Sequence, residues 1–140
     1  MTLNLKKIEM GMSNGADAVN SNFQAIQSEV NQPQITTQSF QADNHSQWAN
    51  ESGIVTKQGR IVTVQFKGTN ANNSIGTIIT TLPSWAKPMK IVYGVGFETD
   101  GNYHNWSATN VWVDASGVIN SQNNNAYSFT QFTITYVSAS

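Results

Sequence analysis

The stretch RIVTVQFKG, residues 60–68, alternates apolar and polar side chains with a period of two. Val62, Val64 and Phe66 fall on one side of an extended chain, and polar residues separate them. Such alternation is typical of a β-strand with one side on a core and the other in solvent. The preceding GIVTK, joined through Gln58 and Gly59, predicts that this strand is half of a hairpin.

Further short apolar stretches follow this hairpin, separated by turn signals every 8 to 12 residues. Asp114 and Gly117 occupy the first and last corners of one predicted type I turn. The pattern predicts a mainly β protein whose C-terminal part is an antiparallel barrel or sandwich. The predicted further strands are residues 76–82, 89–98, 110–114, 117–120 and 127–137.

The predicted strand 89–98 has large apolar residues on one side and two glycines on the other. We expect Gly94 and Gly96 on its outward side, as curvature glycines or as points where another backbone comes close. The apolar side comprises Ile91, Tyr93, Val95 and Phe97.

Residues 12–30, MSNGADAVNSNFQAIQSEV, carry apolar residues spaced alternately four and three apart. This spacing predicts a helix over 14–30 with a coiled-coil stripe, because only the a and d positions are apolar. Ser13 or Asn14 is the expected N-cap, and Asp17 lies in the first turn. So narrow a stripe favours self-association over packing within one chain. The stripe is Met12, Ala16, Val19, Phe23, Ile26 and Val30.

The sequence divides into three predicted parts. Residues 1–30 form an N-terminal arm, expected to order on a partner, and the oligomerising helix. Residues 31–50 are a polar connector, with a partly extended chain as an open alternative. We expect no catalytic role for its His45. Residues 51–140 form the β head. Trp48, just before it, and Trp85 are expected to be structural residues, at the start of the head and at one end of the barrel respectively.

Composition excludes several classes of function. The chain has 140 residues, a net charge of −1 and a charged fraction of 11%, about half the usual 25%. This balance provides no basic surface for nucleic acid. No apolar run is long enough to span a membrane, and no signal peptide is predicted at the N-terminus. The absence of Cys excludes disulfides, Cys-based zinc sites and a thiol nucleophile.

The helix stretch 12–30, followed by KQGRIVTVQFKG (57–68), TLPSWAKP (81–88) and VWVDASGVI (111–119), resembles receptor-binding or lower baseplate proteins of siphophages that infect lactic acid bacteria. The order of parts matches over almost the whole chain. The resemblance implies a homotrimer whose arm and helix dock on an upper baseplate protein. It also implies a β-barrel head that binds host cell-wall polysaccharide. We therefore expect a virion protein, made in the host cytoplasm.

Saccharide recognition combines aromatic faces with short polar side chains, and residues 98–112 concentrate both types. If Val111 and Val113 face the core, Asn110 and Trp112 face outward, where an exposed Trp implies a ligand or a neighbouring subunit. The resemblance implies charged or imidazole groups on this strand, and the chain departs from that expectation with Asn110 and Trp112. The candidate saccharide-binding residues are Asp100, Tyr103, His104, Asn105, Trp106, Asn110 and Trp112. Asn123, Asn124 and Asn125 form a polar loop, predicted to be a solvated turn or a rim that binds hydroxyls.

Enzymatic activity is not expected. A glycosidase needs two carboxylates across a cleft, and the head carries few candidates. No cofactor and no metal site are expected, although a single oxygen-ligated Ca²⁺ stays an open alternative. The alternative function is a structural baseplate or fibre-tip subunit without its own ligand. The candidate carboxylates are Glu51, Glu98, Asp100 and Asp114.

Overall fold

A computed structural model describes residues 5–9, 11–31, 34–45, 47–70, 77–100, 102, 104–122 and 129–140. The chain divides into two compact units, residues 1–34 and residues 35–140. The first unit contains one helix, and the second contains every strand that the described residues form.

The helix and the strands are short, and most strands follow one another directly. Helix α1 spans Gly15–Asn31, and a single 3₁₀ turn at Ser84–Ala86 follows β4. The strands are β1 (Ile35–Phe40), β2 (Trp48–Gln58), β3 (Ile61–Asn70), β4 (Thr77–Thr81), β5 (Val92–Thr99), β6 (Trp106–Val113), β7 (Val118–Gln122) and β8 (Phe129–Val137).

The eight strands form one antiparallel sheet in the order β1-β2-β3-β8-β5-β6-β7-β4. The sheet curls into a half-barrel, so the predicted mainly β class is confirmed. The predicted hairpin is β2–β3, in which Gln58 pairs with Ile61 and Gly59 adopts a positive φ of 60°. The predicted turn between β6 and β7 also forms, because Gly117 N–H donates to Asp114 O at 2.9 Å.

The core lies on the concave side of the curled sheet. Val62, Val64 and Phe66 of β3 point into it, as their alternation predicts. Trp48 is fully buried and meets the Phe66 ring edge to face, with 5.1 Å between ring centroids. Trp85 is partly buried and packs against this core.

The connection between β1 and β2 links the two edges of the sheet. Asp43 N–H donates to Ile79 O at 2.8 Å, and the Thr80 hydroxyl donates to Asp43 Oδ1 at 2.7 Å. Ala42 beside them is buried. These bonds fasten the β1–β2 connection to β4, the strand at the opposite edge of the sheet from β1.

Strand β1 lies within residues 31–50, for which we predicted a connector. It pairs with β2 along its whole length, from Ile35 opposite Gln58 to Phe40 opposite Gly53. The β unit therefore begins at Ile35. The sequence of β1 gives little indication of this, because five of its six residues are exposed and only Phe40 packs on the core.

The expectation for the glycines of β5 is wrong. Gly94 and Gly96 face the core, and a Cβ on Gly94 would lie 3.0 Å from Ile134 Cδ1. Tyr93, Val95 and Phe97 face outward instead, with 70%, 60% and 54% of their surface exposed. The side chains of β8 already fill the core here, and they leave no space for a large residue on β5.

The arm lies against its own helix, although we expected it to order on a partner. Lys6 N–H donates to Asn22 Oδ1 at 2.7 Å, and Asn22 Nδ2 donates back to Lys6 O at 2.9 Å. Asn22 and the buried Ala18 belong to a different face of α1 from the apolar stripe. Asn14 directly precedes the first helical residue, at the expected N-cap. No helix among the described residues is long and apolar enough to cross a membrane.

Gly53 and Phe40 provide a test of how firmly β1 belongs to the head. A Cβ on Gly53 would lie 2.2 Å from the Phe40 ring, so Gly53→Ala must displace that ring. We expect a loss of about 1–3 kcal/mol in the free energy of unfolding, the usual cost of overpacking. In a Phe40→Ala background the same change should cost almost nothing. Urea unfolding of the four proteins measures this coupling, and additive losses would contradict the contact.

Candidate functional site

The outward side of β5, β6 and β7 carries aromatic and amide side chains in register. Tyr93 of β5 pairs with Trp112 of β6. Two residues earlier on β6, Asn110 pairs with Gln122 of β7. Val111 and Val113 are buried, so Asn110 and Trp112 do face outward, as the alternation of β6 predicts.

These four side chains surround a shallow hollow of about 480 Å³, which we call the β6 platform: Tyr93, Asn110, Trp112 and Gln122. Asn110 Nδ2 lies 3.4 Å from Gln122 Oε1, a contact that orients the two amides along the wall of the hollow. Each amide retains further donor and acceptor capacity. The β6 platform can therefore provide a stacking surface and hydrogen bonds to one ligand, without any charged group.

The loop after β5 is organised around Asp100. Asp100 Oδ1 accepts the N–H groups of Asn102 and His104, both at 3.1 Å, and Oδ2 accepts Asn105 Nδ2 at 2.7 Å. The bonds from His104 and Asn105 contribute most to holding the pKa of the Asp100 carboxyl below its usual range. Asp100 and Asn105 thus shape the loop, because both carboxylate oxygens of Asp100 and Nδ2 of Asn105 are engaged within it.

Among the candidate saccharide-binding residues that the structure describes, Asn110 and Trp112 are the two that line the β6 platform. Trp106 lies at the other end of β6, opposite Thr99. Trp106 is 51% exposed, and His104 is also exposed. Tyr103 lies outside the described residues, as do the three asparagines 123–125.

Sequence reasoning missed Tyr93 and Gln122 as platform residues. Tyr93 was placed on the side of β5 that was expected to be buried, and Gln122 lies beyond the predicted end of its strand. The signal that finds them is the pairing register, because residues that pair across neighbouring strands point to the same side of a sheet. Trp112 and Asn110 would have identified both, given the strand order.

A second depression, of about 740 Å³, lies on the other side of β5. It crosses the outward side of β2, β3 and β8, and Val95 and Phe97 form its wall along β5. Its other surfaces are mainly uncharged and polar, from Gln65, Gln131 and Thr133 among others, and Lys67 is its one charged residue. Strand β5 therefore lies between two hollows, and Lys67 distinguishes the larger one from the uncharged β6 platform.

The candidate carboxylates are engaged elsewhere. Glu51 Oε1 lies 2.6 Å from His45 Nδ1, and this bond lowers the pKa of Glu51. Glu98 is fully buried, where the Ser107 hydroxyl donates to it at 3.3 Å. The carboxylate of Asp114 accepts bonds within its turn, chiefly from the Ser116 hydroxyl, and these lower its pKa. Neither hollow is lined by Asp or Glu in the described part of the chain.

No three acidic, His or Cys side chains gather into a metal-binding group among the residues that the structure describes. His45 is paired with Glu51, and His104 lies on the Asp100 loop, so the two imidazoles belong to separate local structures.

The fold is similar to that of a solved phage protein. The crystal structure of the receptor binding protein (gp15) of Listeria phage PSA aligns with 92% of this chain and 81% of its own, with a TM-score of 0.67. Sequence identity is 18%, so the likeness concerns the fold alone. No protein-family model matches the chain, and no curated protein sequence matches it.

The hydrogen bonds that Asp100 accepts should be lost at a lower pH than the ordinary pKa of an Asp carboxyl. A carboxyl whose pKa is lowered by folding stabilises the fold above its unfolded value, about 3.9, and this contribution is lost as pH falls through the lower folded value. We expect the amide resonances of Asn102 and His104 to shift together with an NMR midpoint below pH 3.9. Asp100→Asn should remove that transition. A midpoint at or above 3.9 would contradict the observed hydrogen bonds.

Proposed function

We propose that this chain is a phage tail receptor-binding protein whose head adsorbs to saccharide of the host cell wall. The β6 platform carries the proposal, because Tyr93 and Trp112 lie side by side with two amides and none of these four residues is charged. The fold likeness to a phage receptor binding protein supports the same role.

The chemistry of the β6 platform fits a neutral sugar. Aromatic rings stack on the apolar side of a pyranose, and amides bond its hydroxyl groups. Tyr93 is 70% exposed, so its ring can meet a ligand without any rearrangement of the core. The absence of a carboxylate or a cation among the four platform residues favours a ligand without charge.

Assembly as a homotrimer through α1 is the second part of the proposal. All six residues of the apolar stripe are exposed in the single chain, including Phe23 at 66% and Val30 at 76%. The arm contacts another face of the helix, through Asn22, and so leaves the stripe open. Coiled-coil spacing makes copies of the same helix the simplest cover for it.

In the virion, the arm and α1 would anchor the trimer to an upper baseplate protein, and the heads would face the host. The single β6 platform is open and small, so we expect weak binding at each site. Several heads on one trimer, and many trimers on one phage, would raise the effective concentration and give firm adsorption.

We further propose that the head binds saccharide without cleaving it. Hydrolysis of a glycosidic bond needs an acid and a second carboxylate on opposite sides of the sugar. Glu51 is bonded to His45, and Asp100 accepts hydrogen bonds from residues of its own loop. Purified host walls incubated with the protein should therefore release no reducing sugar.

A structural baseplate subunit without its own ligand is the second candidate. The exposed Val95 and Phe97 favour it, because an apolar surface on a central strand also suits a protein neighbour. In that case Trp112 would bury against another chain.

Substitution within the stripe should disperse the trimer. Phe23→Asp places a charge where three copies of Phe23 would meet, so we expect the molar mass of the full chain to fall from that of a trimer to that of a monomer. Gln24→Asp adds the same charge one residue away, off the stripe, and should leave the trimer intact. Light scattering measures both variants. A wild-type chain that is monomeric at micromolar concentration would contradict the assembly.

Loss of either platform aromatic should weaken adsorption. We expect Tyr93→Ala and Trp112→Ala each to reduce single-site affinity for a wall saccharide by at least about tenfold, or 1.4 kcal/mol. Labelling of host cells by the trimer should fall further, because each head contributes to avidity.

Ile61→Ala is the matched control for these platform variants, since Ile61 is 50% exposed on β3, outside the β6 platform. It should label cells like the wild type. Trp106→Ala reports whether bound saccharide extends to the far end of β6. Unchanged labelling by both platform variants, at unchanged molar mass, would remove the proposed site. A change of molar mass with Trp112→Ala would favour the structural subunit instead.

A further inference from the structure

The outward side of β6 carries a second aromatic residue besides Trp112. Thr109, Val111 and Val113 are buried, so the alternate residues of the strand face outward. We call these outward residues the β6 row: Trp106, Ala108, Asn110 and Trp112. The β6 row has a Trp at each end and contains no charged residue. Its last two members belong to the β6 platform, whereas Trp106 lies outside that hollow.

The two tryptophans of the β6 row are too far apart to hold one sugar between them. They are six residues apart on the strand, and a rise of about 3.3 Å per residue separates them by roughly 20 Å. Ala108, between them, has the smallest side chain of the row, so a ligand chain can lie close to the sheet there. Only an extended ligand can contact both indole rings at once.

Hydrogen bonds of the Asp100 loop fix the backbone from which Trp106 projects. Thr99 pairs with Trp106 across β5 and β6, so these two residues close the base of the loop. Asp100 Oδ2 accepts Nδ2 of Asn105, the residue directly before Trp106, at 2.7 Å. The Trp106 side chain is 51% exposed on this ordered backbone, so little conformational freedom is lost when a ligand binds. Asp100 and Asn105 are therefore positioning residues for Trp106.

We propose that the β6 row binds an extended, uncharged oligosaccharide chain, with one sugar stacked on Trp112 in the β6 platform and a later sugar stacked on Trp106. This inference rests on the proposed function and adds the class of ligand, a chain of several sugars in place of a terminal sugar. Aromatic faces hold the apolar sides of pyranose rings, and the Asn110 amide bonds hydroxyls between them. A chain held at one ring is presented to the other at high effective concentration, so two weak contacts combine.

The length of the saccharide chain is the variable that tests this inference. Solubilised host wall polysaccharide is partly hydrolysed and separated by size, and each fraction is titrated into the full chain while NMR records the indole N–H resonances. Short fragments should shift mainly the Trp112 resonance, because Trp112 has a second ring and two amides beside it. Fragments long enough to cover the β6 row should shift Trp106 as well. We expect long fragments to bind with a dissociation constant at least about tenfold lower than short ones.

Trp106→Ala separates contact along the β6 row from bridging between heads, because bridging does not need Trp106. This variant should bind short fragments like the wild type and lose the gain in affinity with length. Trp106→Phe keeps an aromatic face and should retain most of that gain. Asp100→Ala removes the acceptor of the loop and should reduce the gain without weakening the binding of short fragments. Ile61→Ala is again the control and should match the wild type at every length.

Two results would overturn the inference while the β6 platform stands as a site. One is a gain with length that persists in Trp106→Ala, and the other is a wild-type Trp106 resonance that long fragments leave unshifted. If fragments of no length shift the Trp112 resonance, the proposed function fails together with the inference.

Discussion

The rest of the head depends on one packing constraint: side chains of β8 already fill the core beside β5. Ile134 and Phe132 of β8 fill the core next to β5, and a Cβ on Gly96 would lie 3.0 Å from both Phe132 Cβ and the Gln131 carbonyl oxygen. A larger residue at position 94 or 96 of β5 would therefore have to displace these neighbours. The large apolar residues that flank these glycines are outward, where Tyr93 enters the β6 platform and Val95 and Phe97 are exposed. A packing requirement inside the barrel thus determines the chemistry of its surface.

Alternation predicted the strands that separate core from solvent cleanly, such as β3 and β8, and the Asp114 to Gly117 turn. It did not predict β1, because a mostly exposed edge strand has no apolar side to detect. Alternation also separated the apolar residues of β5 from its glycines, but it did not show which of these two sides faces the core. That choice depends on the bulk of Ile134 on a strand about forty residues later in the chain. Local pattern therefore identified the strands better than their orientation.

The candidate site also divides into residues that one strand predicts and residues that only the strand order brings together. Asn110 and Trp112 followed from the buried Val111 and Val113 on the same strand. Tyr93 and Gln122 come from other strands, and only the order β5-β6-β7 places them beside Trp112. The polar residues of the Asp100 loop matched the composition of a saccharide site, but several of them bond one another. Composition alone does not distinguish a polar group that binds a ligand from one that shapes a loop.

The central claim is that the β6 platform binds host wall saccharide, and the four tryptophan indole N–H resonances of the full chain test it most directly. Titration with solubilised wall polysaccharide should shift the Trp112 resonance in a saturable way. Trp48 is fully buried and Trp85 packs on the core, so both should stay unchanged and serve as internal controls. Host polysaccharide that leaves Trp112 unshifted up to millimolar saccharide units would contradict the claim.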